Sequence, residues 1–140
     1  MPAKTTDGSC LCGAIRFTIE TPPKWVAHCH CSMCRRAHGA PFVTWVGVET
    51  AAFRLVGGAD VLRTYASSAD ATREFCGTCG ASLFWRDVRH PEVVDVTLGT
   101  LDAEPEQLPV AHIWFAHKAS WVRIPDDLPR HDEALPGAGT

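Results

Sequence analysis

The seven cysteines are the feature that most constrains how this chain can fold. Three of them fall within six residues, and the other four form two close pairs. The cluster consists of Cys29, Cys31 and Cys34, and the pairs are Cys10 with Cys12 and Cys76 with Cys79. Four thiolates close a tetrahedral zinc site, whereas three leave one coordination position open. The grouping therefore predicts two metal sites, one that stabilises the fold and one that does chemistry.

Composition favours a single globular domain. The 140 residues suffice for one buried core, and 46% hydrophobic with 21% charged residues is ordinary for a folded protein. A net charge of -3 gives no reason to expect a nucleic-acid partner. No apolar run reaches the roughly 20 residues that span a bilayer, so no membrane partner is expected. The amino terminus lacks the apolar stretch of a secretory signal. We therefore expect a cytoplasmic protein, where clustered cysteines are more often metal ligands than disulfides.

Hydrophobic alternation predicts a mostly β domain with little helix. Ile15, Phe17 and Ile19 alternate with polar residues, which is typical of a half-buried strand over 14–20. Further strands are expected at 25–31, 42–48, 53–56, 61–65, 72–75, 82–85, 93–101, 111–116 and 121–124. One helical or irregular turn is expected over 32–38. The domain should cover 8–124, between a disordered polar tail at 1–7 and a loosely ordered tail at 125–140.

The two cysteine pairs suit a closed zinc site. Neighbouring sulfurs of a tetrahedral site lie about 3.8 Å apart, whereas Cys10 and Cys12 in a regular strand would start roughly 6.6 Å apart. The chain must therefore bend there, and the flanking glycines permit the bend. Cys76 and Cys79 have the two-residue spacing of a zinc knuckle. The alternatives are buried free thiols or a redox dithiol.

The three-cysteine cluster has no fourth cysteine to close it. In a strand over 25–31, Cys29 and Cys31 would share one face. His28 and His30 would then point to the other face, so neither is expected as a ligand. One histidine could still complete a closed Cys3His site, and the candidates are His38, His90, His112 and His117. The preferred interpretation is an open site, which would bind a thiol as its thiolate and could polarise a small carbonyl group.

The arginines and tryptophans near the cluster allow two interpretations. Arg35 and Arg36 are either solvated surface charges or partners for substrate carboxylates and for the thiolate charge. The tryptophans are expected as core or as pocket walls, and they are Trp45, Trp85, Trp114 and Trp121.

Several segments give the chain a family resemblance. They are Gly8-Ser9-Cys10-Leu11-Cys12-Gly13, Cys29-His30-Cys31-Ser32-Met33-Cys34-Arg35-Arg36, Phe75-Cys76-Gly77-Thr78-Cys79-Gly80, Val96-Thr97-Leu98-Gly99-Thr100-Leu101-Asp102 and His112-Ile113-Trp114. Together they resemble the glutathione-dependent formaldehyde-activating (GFA) enzyme family, which includes the centromere protein V domain. The likeness covers roughly 8–124, and all seven cysteines match in order and spacing.

The resemblance implies a β-tent of antiparallel sheets that holds two zinc ions. One ion would be structural, at Cys10, Cys12, Cys76 and Cys79, and the other catalytic, at Cys29, Cys31 and Cys34. The implied reaction joins formaldehyde to glutathione as S-hydroxymethylglutathione, which is a carbon–sulfur lyase reaction in reverse. Arg35 and Arg36 are then the candidates for binding glutathione. No general acid or base is evident, and His30 and His38 qualify only by proximity. The alternative function is a non-catalytic thiol carrier or protein-interaction module.

Overall fold

The strands of this computed structural model, which describes residues 4–104 and 106–137, form two sheets. The strands are β1 (Lys4–Ser9), β2 (Arg16–Thr21), β3 (Trp25–Cys29), β4 (Val43–Glu49), β5 (Phe53–Gly57), β6 (Leu62–Ala66), β7 (Ala71–Cys76), β8 (Ser82–Asp87), β9 (Val93–Thr97) and β10 (His112–Ile113). The helical elements are α1 (Ser32–His38) and 3-10 turns at Thr50–Ala52, Leu98–Thr100 and Phe115–His117. The prediction of a mostly β protein with little helix is confirmed.

The two sheets differ in their number of strands, and the larger one carries cysteines on two of its strands. The smaller sheet has the strand order β1-β2-β5, and the larger has the order β10-β3-β4-β9-β8-β7-β6. Neighbouring strands of both sheets are antiparallel, apart from β10, which runs parallel to β3. The larger sheet therefore carries β3 near one edge and β7 near the other, and both of these strands deliver cysteines.

Alternation along β3 and β4 gives the larger sheet two different faces. Val26 and Val46 are fully buried in a core shared with Phe17 and Ile19 of the smaller sheet. Trp25, Ala27 and Trp45 point to the opposite face, where they pack with three cysteines in a second cluster. Successive side chains of a strand point to opposite faces, so a single sheet separates the main core from the candidate site.

Both predicted tails are corrected by the structure. Residues 4–7 belong to β1, which pairs antiparallel with β2 from Lys4 opposite Thr21 to Ser9 opposite Arg16. This polar strand escaped prediction because it lacks alternating apolar residues and depends on its neighbour for order. The remainder of the predicted N-terminal tail, residues 1–3, lies outside the described residues.

The segment 125–137 is hydrogen-bonded beside β10 rather than loosely held. The His112 N–H donates to the Pro129 carbonyl at 2.8 Å, and the His131 N–H donates to the His112 carbonyl at 2.8 Å. Trp114 and Phe115 donate in the same way to Glu133 and His131. Because these bonds are long-range, the proline- and glycine-rich composition gave no sign of them. Residues 138–140 lie outside the described part.

Three predicted strands near the end of the domain are shorter than expected or not formed. The strand over 93–101 ends at Thr97 and continues as the 3-10 turn Leu98–Thr100. The strand over 111–116 is reduced to His112–Ile113, because Trp114 adopts a left-handed backbone with φ 52°. The predicted strand over 121–124 is wrong, since those residues form a turn followed by an irregular segment. Among the described residues, no helix is long and apolar enough to cross a membrane.

The close packing of Gly47 against Trp25 makes a test of the sheet register. A Cβ atom at Gly47 would overlap the Trp25 indole at Cε2 and Nε1, and Trp25 is buried on the neighbouring strand. We therefore expect Gly47→Ala to lower the free energy of unfolding by about 2–3 kcal/mol, as overpacking typically does. Chemical denaturation measures the change.

Gly57→Ala is the matched control, because Gly57 also lies in a strand and has open space around the position of an added Cβ. It should change stability by less than about 0.5 kcal/mol. Equal stability of the two variants would contradict the packing of β3 on β4 described above.

Candidate metal centres

Four cysteines from distant parts of the chain meet at one point between the sheets. Cys10 and Cys12 follow β1, Cys76 ends β7, and Cys79 lies in the turn that leads to β8. The Sγ atoms of Cys10 and Cys12 are 3.6 Å apart, those of Cys12 and Cys76 are 3.8 Å apart, and all four lie within 4.8 Å of one another. The sulfurs of a tetrahedral zinc site are spaced by about 3.8 Å. This cluster, called the four-cysteine site below, could therefore hold a metal ion.

Backbone N–H groups surround the four-cysteine site and favour the thiolate form. Ile15 donates to Cys10 Sγ at 3.3 Å, and Thr78 and Cys79 donate to Cys76 Sγ at 3.3 and 3.4 Å. The Ala81 N–H, followed by other donors, lowers the pKa of Cys79 to about 6. Gly80 makes this turn possible, because its φ of 80° lies in the left-handed region that side chains disfavour. The backbone of this turn therefore directs its N–H groups at the cysteine sulfurs.

The second cluster is built around the start of α1 and is called the three-cysteine site below. Cys29 is the last residue of β3, Cys31 caps the helix, and Cys34 lies within it. The Cys34 N–H donates to Cys31 Sγ at 3.2 Å. Their three sulfurs lie within 4.8 Å of one another, and no histidine, aspartate or glutamate of the described residues joins them. This cluster could hold a metal ion with one coordination position left free.

Protons are shared unequally within the three-cysteine site. Cys29 and then Cys34 donate to the Cys31 sulfur, and this lowers the pKa of Cys31 to about 2. The same interaction with Cys31 is the main reason that the pKa of Cys29 lies far above its ordinary value. Cys31 is the most exposed of the three, while Cys29 and Cys34 are each 4% exposed. Cys31 therefore has the most acidic and the most exposed thiol of the cluster.

Arg73 is a functional candidate that sequence reasoning missed. Its Nη1 and Nη2 atoms each lie 3.7 Å from Cys34 Sγ, and the Trp45 indole N–H donates to the same sulfur at 3.4 Å. Three thiolates around a divalent ion carry net negative charge, which a guanidinium nearby would offset. Arg73 belongs to β7, 39 residues away from Cys34, so only the sheet brings the two together.

The histidines do not complete the three-cysteine site. His28 and His30 lie on the opposite face of β3, as predicted, and His30 Nε2 is 2.8 Å from His112 Nδ1. His112 in turn contacts Asp126 at 3.0 Å. His38 packs its ring against Trp45 at 5.4 Å, and His90 lies near Glu92 at the surface. His117 borders the cavity described below, but it is not part of the cysteine cluster.

Arg35 and Arg36 have different surroundings. Arg35 donates from Nε to the His30 carbonyl at 3.4 Å and from Nη2 to the His117 carbonyl at 3.2 Å. It therefore holds the helix against the segment after β10. Arg36 is exposed and borders a second cavity beside Met33 and His38. Glutathione binding stays a prediction for both residues. The Arg36 side chain is exposed, whereas the Arg35 guanidinium already donates to two backbone carbonyls.

A cavity of about 560 Å³ opens from the three-cysteine site along the larger sheet. All three cysteines line it, together with aromatic walls from Trp45, Trp85 and Trp114. Three carboxyl groups and two guanidinium groups also line it, and they belong to Asp87, Asp95, Glu133, Arg73 and Arg89. The second cavity, of about 590 Å³, shares Met33, Trp45 and Arg73 with the first. The four-cysteine site lines neither of these cavities, so of the two sites the three-cysteine site is better placed for chemistry on a small molecule.

The sequence and the fold agree with one family. Residues 5–117 match the sequence model of the glutathione-dependent formaldehyde-activating enzyme family. The chain belongs to this family. It is 31% identical over 125 residues to a Halomonas elongata protein provisionally named as a glutathione-dependent formaldehyde-activating enzyme, and the match covers 84% of this chain and 80% of that protein.

Two further proteins are similar to this chain. An uncharacterized lyase of Schizosaccharomyces pombe is 32% identical over 79 residues, which cover 56% of each protein. A crystal structure of a Rhodobacter sphaeroides protein aligns with a TM-score of 0.61 at 28% identity, over 74% of this chain and 97% of that one. The resemblance to the GFA family noted in the sequence is confirmed.

Loss of one cysteine site should lower the stability of the protein more than loss of the other. Cys76→Ser breaks a site that ties β1 to β7, and we expect it to lower stability by roughly 5 kcal/mol or more, or to leave the protein insoluble. Cys34→Ser breaks a site within one local segment and should cost about 2 kcal/mol or less. Thermal unfolding of both variants, purified without chelator, gives the comparison.

Each variant is the other's matched control, since both exchange a buried cysteine for serine. Equal losses of melting temperature would contradict the division into a structural and a functional site. A chelator should reproduce the Cys76→Ser effect in the wild-type protein.

Proposed function

We propose that this protein is a zinc-dependent enzyme of the carbon–sulfur lyase type that adds glutathione to formaldehyde or another small aldehyde. The product with formaldehyde is S-hydroxymethylglutathione. The observation that carries the proposal is the three-cysteine site, which opens on a cavity while the four-cysteine site does not. Membership of the GFA family and the lyase name of the yeast relative support this reaction type.

Zinc suits both sites by the chemistry of their donors. The ligand sets consist of sulfur alone, the sulfurs are close enough to share one ion, and thiolates favour zinc over the hard cations that need oxygen. Zinc at the three-cysteine site would supply a position that ionises an incoming thiol and polarises a carbonyl oxygen. We assign two zinc ions to each chain, of which the ion in the four-cysteine site is structural.

The residues around the three-cysteine site bind the reactants and control the local charge. Arg73 offsets the negative charge of the thiolates and keeps the site from repelling an anionic thiol. Trp45, Trp85 and Trp114 give the cavity apolar walls, against which a small aldehyde can pack. A cavity of about 560 Å³ lies within the range of small-molecule sites.

Glutathione carries two carboxylates, and the neighbouring cavity offers positive charge for them. Arg36 borders that cavity, and Arg73 stands between it and the three-cysteine site. A tripeptide with its sulfur at the cysteines would reach into the second cavity past Arg73. Arg35 has its guanidinium committed to two backbone carbonyls, so its contribution to glutathione binding would be to hold α1 in place.

Thiol binding can be tested with cobalt in place of zinc. Glutathione should change the thiolate-to-metal absorption of the cobalt protein, because its sulfur would enter the free position of the three-cysteine site. Cys31→Ala should abolish this response while leaving the fold intact. Arg36→Ala should weaken the binding of glutathione several-fold, but not that of 2-mercaptoethanol, which has no carboxylate.

S-methylglutathione is the control ligand, since it keeps the carboxylates but has no ionisable thiol. It should bind more weakly and leave the spectrum nearly unchanged. A spectrum indifferent to every thiol would mean a closed site and would overturn the proposal. Thiol binding without any acceleration of the addition to formaldehyde would indicate a carrier rather than an enzyme.

A further inference from the structure

A buried carboxyl group lies in the wall of the cavity that serves the three-cysteine site. Asp95 is in the middle of β9, between Val94 and Val96 of the main core, and is 5% exposed. Its side chain lies on the other face of the sheet and lines the same cavity as Cys34. A charged residue in the interior of a central strand is rare unless it is paired.

Asp95 has no partner that would stabilise its charge. Among the described residues, the influences on its carboxyl group are burial first and then the negative charge of Asp87, with no hydrogen bond or cation among them. Together they raise the pKa of Asp95 to about 8. Asp95 therefore carries a proton at neutral pH, which is what a general acid requires.

The charged groups nearby are engaged elsewhere. On β8 and the turn after it, Asp87 accepts from Arg89 Nε at 3.0 Å and from Nη2 at 2.7 Å, and this pairing lowers the pKa of Asp87. On β7, Arg73 is directed at the Cys34 sulfur. On β4, the residue opposite Asp95 is Gly47, which contributes no side chain. Asp87 is therefore ionised and cannot donate a proton, whereas Asp95 can.

The strand register places Asp95 across the cavity from the sulfurs. Arg73, Trp85 and Asp95 lie in one row over three adjacent strands. Strands are spaced by about 4.8 Å, so Asp95 is about 10 Å from Arg73 along the sheet. The side chain of Arg73 contacts the Cys34 sulfur from that position. The sulfurs and the Asp95 carboxyl group line the same cavity of about 560 Å³, which is large enough for a small aldehyde.

We propose that Asp95 is the general acid of the addition reaction and gives its proton to the aldehyde oxygen, directly or through one water molecule of the cavity. This assignment rests on the proposed function. As the sulfur–carbon bond forms, the carbonyl π bond breaks towards oxygen, and that oxygen takes the proton. The thiol has released one proton on ionising, and a proton returned to Asp95 completes the cycle, so no further reactant is needed. In the reverse direction the Asp95 carboxylate is the base.

The other titratable groups of the cavity fit this role less well. His117 and Glu133 line it but are exposed to solvent. His30, which the sequence had offered by proximity, is fully buried on the opposite face of β3. His38 lies against Trp45 and borders the second cavity rather than the first.

Asp95→Asn keeps the size of the side chain and removes the transferable proton. Turnover at saturating glutathione is the rate of exchange between free thiol and adduct, which NMR measures. This rate should fall by about 10²–10⁴-fold, the usual contribution of a general acid. Wild-type turnover should decline above about pH 8 as Asp95 ionises, and the variant should lose this decline. Thiol binding should be unchanged in the variant.

Asp60→Asn, an exchange of an exposed carboxylate, is the matched control and should behave as wild type.

A second readout does not depend on turnover. The pKa of Asp95 is raised in the folded protein, so the unfolded chain loses this proton at a lower pH than the native protein does. The free energy of unfolding of the wild type therefore decreases as the pH rises to about 8. The melting temperature of Asp95→Asn relative to wild type should therefore rise between pH 6 and pH 8. A constant difference would overturn the assignment.

The outcomes separate the two proposals. If the wild type accelerates the reaction and Asp95→Asn matches it in rate and pH profile, the role of Asp95 is refuted while the proposed function stands. If the wild type gives no acceleration over the uncatalysed reaction, both are refuted. A slow variant with normal thiol binding and no decline at high pH supports both.

Discussion

The meeting of four sulfur atoms between the two sheets is the contact on which the rest of the structure depends. Cys10 and Cys12 lie directly after the first strand, and Cys76 and Cys79 lie at the end of the seventh. Their sulfurs are spaced like the ligands of one tetrahedral ion. A single ion there would close a loop of more than sixty residues, and it would fix the smaller sheet against the end of the larger one where β7 and β8 turn.

In the proposed function, the frame that this ion would fix allows the second site to be open. The larger sheet buries valines on one face and leaves cysteines, tryptophans and Asp95 on the other. If the four-cysteine site supplies stability, as we propose, the three-cysteine site need not be closed by a fourth ligand. Arg73 reaches Cys34 from β7, the strand that ends at Cys76 of the four-cysteine site. The position of the guanidinium is thus coupled to the four-cysteine site through one strand.

The sequence predicted the parts of the structure that depend on local pattern. Cysteine spacing predicted both clusters, and alternation predicted most strands and the opposite orientation of His28 and His30. It missed β1 and the hydrogen bonds of the segment 125–137, because both depend on partners distant in the chain. Arg73 and Asp95 were missed for the same reason. Each lies in an ordinary strand, and only the register of β7, β8 and β9 brings them into the cavity with the cysteines.

X-ray absorption at the zinc edge, combined with metal analysis of the protein purified without chelator, tests the central claim most directly. Our account predicts two zinc ions per chain and an average of about 3.5 sulfur ligands per ion, because four cysteines form one cluster and three the other. The remaining ligand should be a single light atom without the outer-shell scattering of an imidazole ring. One zinc ion per chain with four sulfurs, or an imidazole at the second ion, would contradict the division into a structural and an open site.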